Sequence, residues 1–132
     1  MKPTHPVELI ACAIATQEGW FDPSPTVTPR AKNNPGDLRY AGQIGTTIPL
    51  HFVPAPIATF DTPAHGIAAL FRQVWLQAAG GQTLAQIIAQ WAPPNENNTS
   101  AYLQNVTAWT GLPQDVPILN LIPPLVQMND PG

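Results

Sequence analysis

Proline is the residue that most limits how this chain can fold. The 132 residues include 17 prolines, well above the ~5% usage of an average protein. Because proline lacks a backbone N–H and clashes with the preceding turn, it interrupts helices. Three long windows contain none, and they run from Val7 to Asp22, from Ala64 to Ala92 and from Asn95 to Leu112. We therefore expect the helices in these windows.

The three windows predict four helices. In the first, apolar residues keep helical spacing up to Gly19, which offers a stop. In the second, Gly80-Gly81 separates two apolar stripes and so two helices. The third opens on Asn98 or Thr99 as a helix N-cap and closes at Gly111.

The region between Pro23 and Pro63 shows no helical periodicity. Residues Leu38 to Tyr40 and Ile57 to Phe60 have the composition of short strands, with turn residues between them. We expect loops and a small sheet here.

The length is enough for one domain with a single core. The predicted order is a helix, an irregular β-region and then further helices, which is a predominantly helical α+β domain over residues 1–132. We expect its core over about 7–112. The proline-rich tail over 113–132 is expected to contain a short helix.

Charge and cysteine content exclude several classes of protein. Charged residues make up 10% of the chain and the formal net charge is −3, which argues against a nucleic-acid partner. A single cysteine, Cys12, cannot form an internal disulfide, and we interpret it as a small core residue. No zinc-ligand spacing occurs, so no metal or cofactor is expected. No run of about 18 uncharged apolar residues exists, which excludes a spanning helix.

The apolar run Leu9 to Ala15 is the best candidate for a secretory leader. Glu8 precedes it and Glu18 follows closely, so it is interpreted as a core helix. A target outside the cytoplasm would then be reached by another route, such as phage delivery or release, or with a leader that this sequence lacks.

Glu18 is the strongest candidate for proton chemistry. On a helix it continues the apolar stripe of Ala11, Ile14 and Ala15, and it lies at the helix C-terminus. Burial and the helix dipole both raise a carboxyl pKa, as a general acid near neutral pH requires. The alternative is a solvated side chain at a frayed helix end.

The other candidates have structural explanations beside functional ones. Asp61 is expected to cap the helix that follows it, and its spacing to His65 would allow a local bond. Asp37 either satisfies its own turn or acts as a second catalytic group. The aromatic residues Trp20, Tyr40, Trp91 and Tyr102 could stack on sugar rings, although core positions are expected for Trp91, Trp75 and Trp109.

Four segments, in this order, resemble the lysozyme-like superfamily, especially phage and bacterial relatives of goose-type lysozymes and lytic transglycosylases. They are Ala15-Thr16-Gln17-Glu18-Gly19-Trp20, Asn33-Asn34-Pro35-Gly36-Asp37-Leu38-Arg39-Tyr40, Phe60 to Leu70, and Trp91-Ala92-Pro93-Pro94 with Asn97 to Tyr102.

The resemblance implies a two-lobed, mostly helical fold with a β-hairpin region beside a groove. It implies that Glu18 is the acid that protonates the bond between N-acetylmuramic acid and N-acetylglucosamine. Asn34, Tyr40 and Tyr102 would then bind substrate. Relatives usually carry Asn where this chain has Asp37, so either a lysozyme that uses water or a lytic transglycosylase is consistent with the sequence.

The predicted partner is therefore bacterial cell-wall peptidoglycan, in the periplasm or outside the cell. Two alternatives remain open. The first is a non-catalytic wall-binding or structural virion module on the same fold. The second is a glycosidase that acts on chitin with the same acid.

Overall fold

A computed structural model describes residues 5–24, 28–93 and 98–123. Within these ranges the helices are α1 (Pro6–Gln17), α2 (Thr28–Ala31), α3 (Pro63–Ala79), α4 (Leu84–Trp91) and α5 (Thr99–Thr110), followed by a 3₁₀ helix over Ile118–Leu121. The four predicted helices and the short helix in the tail are confirmed. Helix α2 is not among the predictions, because four residues are too few for a periodic pattern.

The helix ends follow local sequence signals. Asn98 caps α5 by accepting a hydrogen bond from the backbone N–H of Ala101, and Gly111 ends that helix in the left-handed region. Thr62 caps α3. The prediction that Asp61 supplies this cap is wrong, because its carboxylate instead contacts the ring of His65.

The core lies between the helices. Helix α1 packs against α5 and α3, and α4 packs against α5. Fully buried side chains from all four fill the space between them: Ile10, Ile14, Val74, Leu84, Ile87, Ile88 and Val106. Burying a side chain of this size contributes about 1.5–3 kcal/mol. Ile118, in the 3₁₀ helix, is also fully buried in this core, while residues 124–132 of the predicted tail lie outside the described residues.

Three residues predicted in the core are instead exposed. Cys12 lies on the outward face of α1. Trp75 and Trp109 are 45% and 50% exposed. No helix among the described residues is long and apolar enough to cross a bilayer.

The predicted sheet is wrong, and with it the α+β class and the β-hairpin region. No residue of the described ranges belongs to a strand, and pairing is limited to isolated antiparallel bridges such as Arg39 with Ile57 and Thr46 with Phe60. Pro49, Pro54 and Pro56 cannot donate to a ladder. The predominantly helical character is confirmed.

Residues 32–62, called here the irregular segment, are held both by backbone–backbone hydrogen bonds outside any strand and by side chains that bond to main-chain groups. The Asn33 amide donates to Phe60 O at 3.0 Å, and the Arg39 guanidinium donates to Ala55 O at 3.0 Å. The segment also packs closely on α3. A Cβ on Gly66 would lie 1.8 Å from Asn33 O, so this contact requires glycine at position 66.

Candidate active site

Backbone hydrogen bonds hold Glu18 at the end of α1. Its N–H donates to Ile14 O, and the next two N–H groups, of Gly19 and Trp20, donate to Thr16 O at 3.2 Å and Ala15 O at 3.0 Å. Gly19 has φ +90°. This is the Schellman arrangement, which closes a helix through a left-handed residue. The helix end is therefore ordered, and Glu18 is half-buried there.

Helix α5 places a tyrosine on this carboxylate. Tyr102 Oη donates to Glu18 Oε2 at 2.7 Å, and the Tyr102 side chain is only 5% exposed. One turn later, the Asn105 amide donates to Gln17 Oε1 at 3.0 Å. Gln17, the last residue of α1, and Glu18, its C-cap, are thus bonded to two residues of α5 that lie three positions apart on one helix face.

The environment of Glu18 favours its protonated form. Burial raises the pKa of the Glu18 carboxyl, the hydrogen bond from Tyr102 lowers it, and the nearby charge of Asp37 raises it again, with a net increase. A carboxyl that keeps its proton closer to neutral pH suits general acid catalysis.

Asp37 is the second carboxyl of the site. It has φ +53°, and its N–H donates to Asn34 O at 3.1 Å, which closes a turn. Trp91 fixes this turn from α4, because its Nε1 donates to Gly36 O at 2.8 Å. Burial raises the pKa of the Asp37 carboxyl, opposed by the positive charges of Arg39 and Lys32.

One oxygen of this carboxyl, Asp37 Oδ1, is buried and has no hydrogen-bond partner among the described residues. A buried acceptor of this kind has free lone pairs, and an ordered water is the usual partner of such a group. Asp37 therefore lies near enough to Glu18 for their charges to interact, and one of its oxygens is buried without a partner among the described residues.

Asn34 holds the turn rather than facing solvent. Its side chain is fully buried, its amide donates to Leu38 O and Ala58 O, and its carbonyl accepts from Leu38 N at 2.9 Å. In this conformation no Asn34 atom is exposed to a sugar. Its three bonds determine instead where Asp37 lies.

Tyr40 belongs to another surface. Its ring is 5.9 Å from that of Phe52, and it lines a cavity of about 240 Å³ together with Lys32 and His51. Among the described residues, no hydrogen bond or ring contact joins Tyr40 to Glu18 or Tyr102. The structure thus brings together Glu18, Asp37 and Tyr102, with Asn34 behind them and Tyr40 apart.

Asp61 is exposed and its carboxylate contacts the ring of His65. No interaction in the described ranges joins it to Glu18. Sequence analysis missed the role of Trp91 in fixing the Asp37 turn, since nothing local marks a contact across 55 residues. No group of three or more His, Cys, Asp and Glu side chains within the described residues could hold a metal ion.

Comparison with known proteins gives one partial likeness to report. Protein P5 of Pseudoalteromonas phage PM2 is 41% identical to this chain over 58 residues, which is 42% of this chain and 36% of P5. The chain therefore matches little more than a third of the length of that relative. No protein-family model and no solved structure matches the chain.

Proposed function

We propose that this chain is a peptidoglycan glycosidase that cleaves the β-1,4 bond between N-acetylmuramic acid and N-acetylglucosamine. The observation that supports this most is the pairing of Glu18, half-buried with a raised pKa and bound by Tyr102 at 2.7 Å, with a second half-buried carboxyl, Asp37. Most glycoside hydrolases use two carboxyl groups that lie in different environments.

In this proposal Glu18 gives its proton to the glycosidic oxygen as the bond breaks and positive charge develops on the sugar ring. Tyr102 then donates to the carboxylate that remains, and so holds it in place for the next cycle. Helix α1 fixes the backbone of the acid throughout.

Asp37 determines the product. If its free oxygen positions a water on the other face of the sugar, with the carboxyl groups about 6.5–9.5 Å apart, the reaction is an inverting hydrolysis. If it only shapes the turn, a hydroxyl of the substrate attacks instead and leaves a 1,6-anhydro end. The first product makes the protein a lysozyme and the second a lytic transglycosylase.

The setting of this activity is the bacterial cell wall. The resemblance of four ordered segments to lysozyme-like proteins supports the wall as substrate, and the likeness to a phage protein supports delivery or release by a phage. The net charge of −3 is unfavourable for a nucleic-acid partner.

The deciding experiment digests purified peptidoglycan with the wild type and with Glu18→Gln and identifies the muropeptides by mass. We expect cleavage to fall by about 10²–10⁴-fold in the variant, the usual contribution of a general acid. Reducing-end products that disappear in Glu18→Gln indicate a lysozyme, and anhydro products that disappear indicate a transglycosylase.

The matched control is the double variant that combines Gln17→Glu with Glu18→Gln. It moves the carboxyl by one residue at the same helix end and keeps the net charge, and we expect it not to restore cleavage. Absence of cleavage by the wild type, with wall binding by both wild type and Glu18→Gln, would contradict the enzyme and favour a non-catalytic wall-binding module. Cleavage of chitin oligomers in preference to wall would contradict the substrate.

A further inference from the structure

A cavity separate from Glu18 lies between α3 and the irregular segment. Its volume is about 570 Å³. One wall is the loop that includes Ala41, Gly42 and Ile44, and the other is the face of α3 that carries His65, Ala68, Ala69, Arg72 and Gln73. Because Ala68 and Ala69 are small, they leave room between His65 and Arg72, which lie at the two ends of this face.

His65 is held firmly at one end of the cavity. Its Nδ1 is 2.6 Å from Asp61 Oδ1, and the Asp61 N–H donates to Gly45 O at 2.8 Å. A Cβ on Gly45 would lie 2.6 Å from His65 Nδ1, so the backbone packs directly against the pair. With Nδ1 bonded to the carboxylate, Nε2 is the ring nitrogen left without a partner among the described residues.

Arg72 is the charged group at the other end. Arg30 lies 4.4 Å over the ring of Trp20, Arg39 bonds to Ala55 O, and Lys32 faces the charge of Asp37. Among the described residues Arg72 has neither a hydrogen bond nor an ion pair. In a chain with 10% charged residues, an unpaired guanidinium at the edge of a cavity offers a fork of donors to a carboxylate.

We propose that this cavity binds a short acidic peptide, with a carboxylate on Arg72 and a backbone amide N–H on Nε2 of His65. Residues 65 and 72 are about 10 Å apart along the helix axis, and an extended tetrapeptide spans about 13 Å. The small apolar floor of Ala68 and Ala69 fits the methyl groups of alanine residues in such a peptide. This inference rests on the proposed function, since peptidoglycan carries acidic, alanine-containing stem peptides beside the glycan bond.

The test measures binding of a soluble stem tetrapeptide with an acetylated N-terminus, N-acetyl-L-Ala-γ-D-Glu-L-Lys-D-Ala, which is net negative, to the full chain by calorimetry and by NMR shifts. The C-terminal amide of the same peptide and an all-L, α-linked peptide of the same composition are the comparison ligands. Arg72→Gln removes the proposed donor, and Arg39→Gln removes the same charge outside the cavity. Both arginines are exposed, and for Arg72, which lies in α3, arginine and glutamine have similar helix propensity.

We expect Arg72→Gln to weaken stem-peptide binding about tenfold, the usual loss for one charge-assisted contact, and Arg39→Gln to change it less than about twofold. His65→Gln should weaken it by a smaller factor than Arg72→Gln. Three results would each overturn the proposal. They are an equal loss of affinity in both arginine variants, equal affinity of the wild type for the all-L peptide, and no binding by the wild type at about 10 mM peptide.

The same titration with Glu18→Gln separates this inference from the proposed function. Retained peptide binding by that variant, together with lost wall cleavage, supports both. If the wild type does not cleave wall but binds the stem peptide through Arg72, the glycosidase fails and the peptide site stands. If the wild type cleaves wall but does not bind the peptide, the peptide site fails and the glycosidase stands.

Discussion

The helical body and the irregular segment are stabilised in different ways. In the body, α1, α3, α4 and α5 bury aliphatic side chains against one another. In the irregular segment, polar side chains bond to main-chain groups, and several large apolar side chains are exposed: Ile44, Ile48, Leu50, Phe52 and Val53. The body therefore depends on the hydrophobic effect, whereas the segment, apart from buried side chains such as Phe60, depends more on specific hydrogen bonds.

This difference matters because the candidate site uses both regions. Glu18 and Tyr102 belong to the body, whereas Asp37 belongs to the segment. Glu18 is thus held by the end of α1 and by Tyr102, and Asp37 is held by the turn that Asn34 and Trp91 fix. Damage to either region should affect a different part of the chemistry.

Ile14→Ala is expected to have the largest effect. Ile14 is fully buried on α1, one turn before Glu18, and truncation of such a side chain costs about 2–5 kcal/mol through lost burial and a cavity. Denaturant unfolding measures this change. Ile48→Ala, at 74% exposure, is the matched control and should cost less than about 0.5 kcal/mol; similar losses for both variants would contradict the distinction between body and segment.

Asn34→Ala is expected to have the second largest effect on stability. It removes three hydrogen bonds and leaves main-chain groups of Leu38 and Ala58 without this partner, at a cost of about 1–3 kcal/mol. It should also lower wall cleavage, since the Asp37 turn loses its support. Asn105→Ala removes one exposed bond and serves as the control for stability. Unchanged stability in Asn34→Ala would mean that packing, and not Asn34, holds the turn.

Tyr102→Phe tests the hydrogen bond that the Tyr102 hydroxyl, on α5, donates to Glu18. Because the hydroxyl stabilises the Glu18 carboxylate, its removal raises the pKa of Glu18 further. An acid that must be protonated then stays active to higher pH, so the alkaline limb of the kcat/KM profile for wall cleavage should move upward. Tyr40→Phe makes the same change on the other tyrosine and should leave that limb in place. A downward shift in Tyr102→Phe would contradict the assigned role of the hydroxyl.

The raised pKa of Glu18 also predicts how stability changes with pH. A carboxyl whose pKa is higher in the folded state contributes stability below its unfolded value and loses it as pH rises through the folded value. Glu18→Gln, which carries no charge, should therefore unfold at a higher temperature than the wild type at about pH 7, with the difference disappearing near pH 4, below the ordinary carboxyl pKa of about 4.3. The opposite trend would indicate that the ionised form is stabilised.

Leu50→Ser should have the smallest effect. Leu50 is fully exposed in the irregular segment, and a surface change of this kind alters the free energy of unfolding by no more than about 0.5 kcal/mol. Thermal unfolding at two protein concentrations measures it. A loss above about 1 kcal/mol that grows with concentration would show that copies of the chain cover this side chain.

The helices could be predicted from sequence because their signals are local. The proline-free windows, the cap Asn98 and the terminator Gly111 act within a few residues of where they stand. Glu18 could be selected for a similar reason, since its neighbours on the helix are apolar. Local signals could not predict that Cys12 and Trp75 face outward. In a mostly apolar helix, the sequence does not indicate which face packs against the rest of the protein.

The irregular segment could not be predicted in the same way. Residues Leu38 to Tyr40 and Ile57 to Phe60 do approach each other, with backbone bonds between Ala58 and Leu38 and between Tyr40 and Pro56. Prolines and the bonds made by Asn34 prevent these contacts from extending into strands. Strand-like composition indicates which residues can pair, but the number of available N–H donors decides whether a ladder forms.

The backbone at the two carboxyl positions limits their replacement unequally. Glu18 has helical dihedral angles, φ −78° and ψ −7°, which every residue type adopts readily, although proline would lose the N–H bond to Ile14 O. Asp37 has φ +53°, which favours Gly, Asn and Asp. In a library randomised at both positions and selected for folding alone, position 18 should accept most amino acids and position 37 very few. In the proposed enzyme, a single Asp37→Asn step could therefore change a water-using reaction into a water-free one without backbone strain.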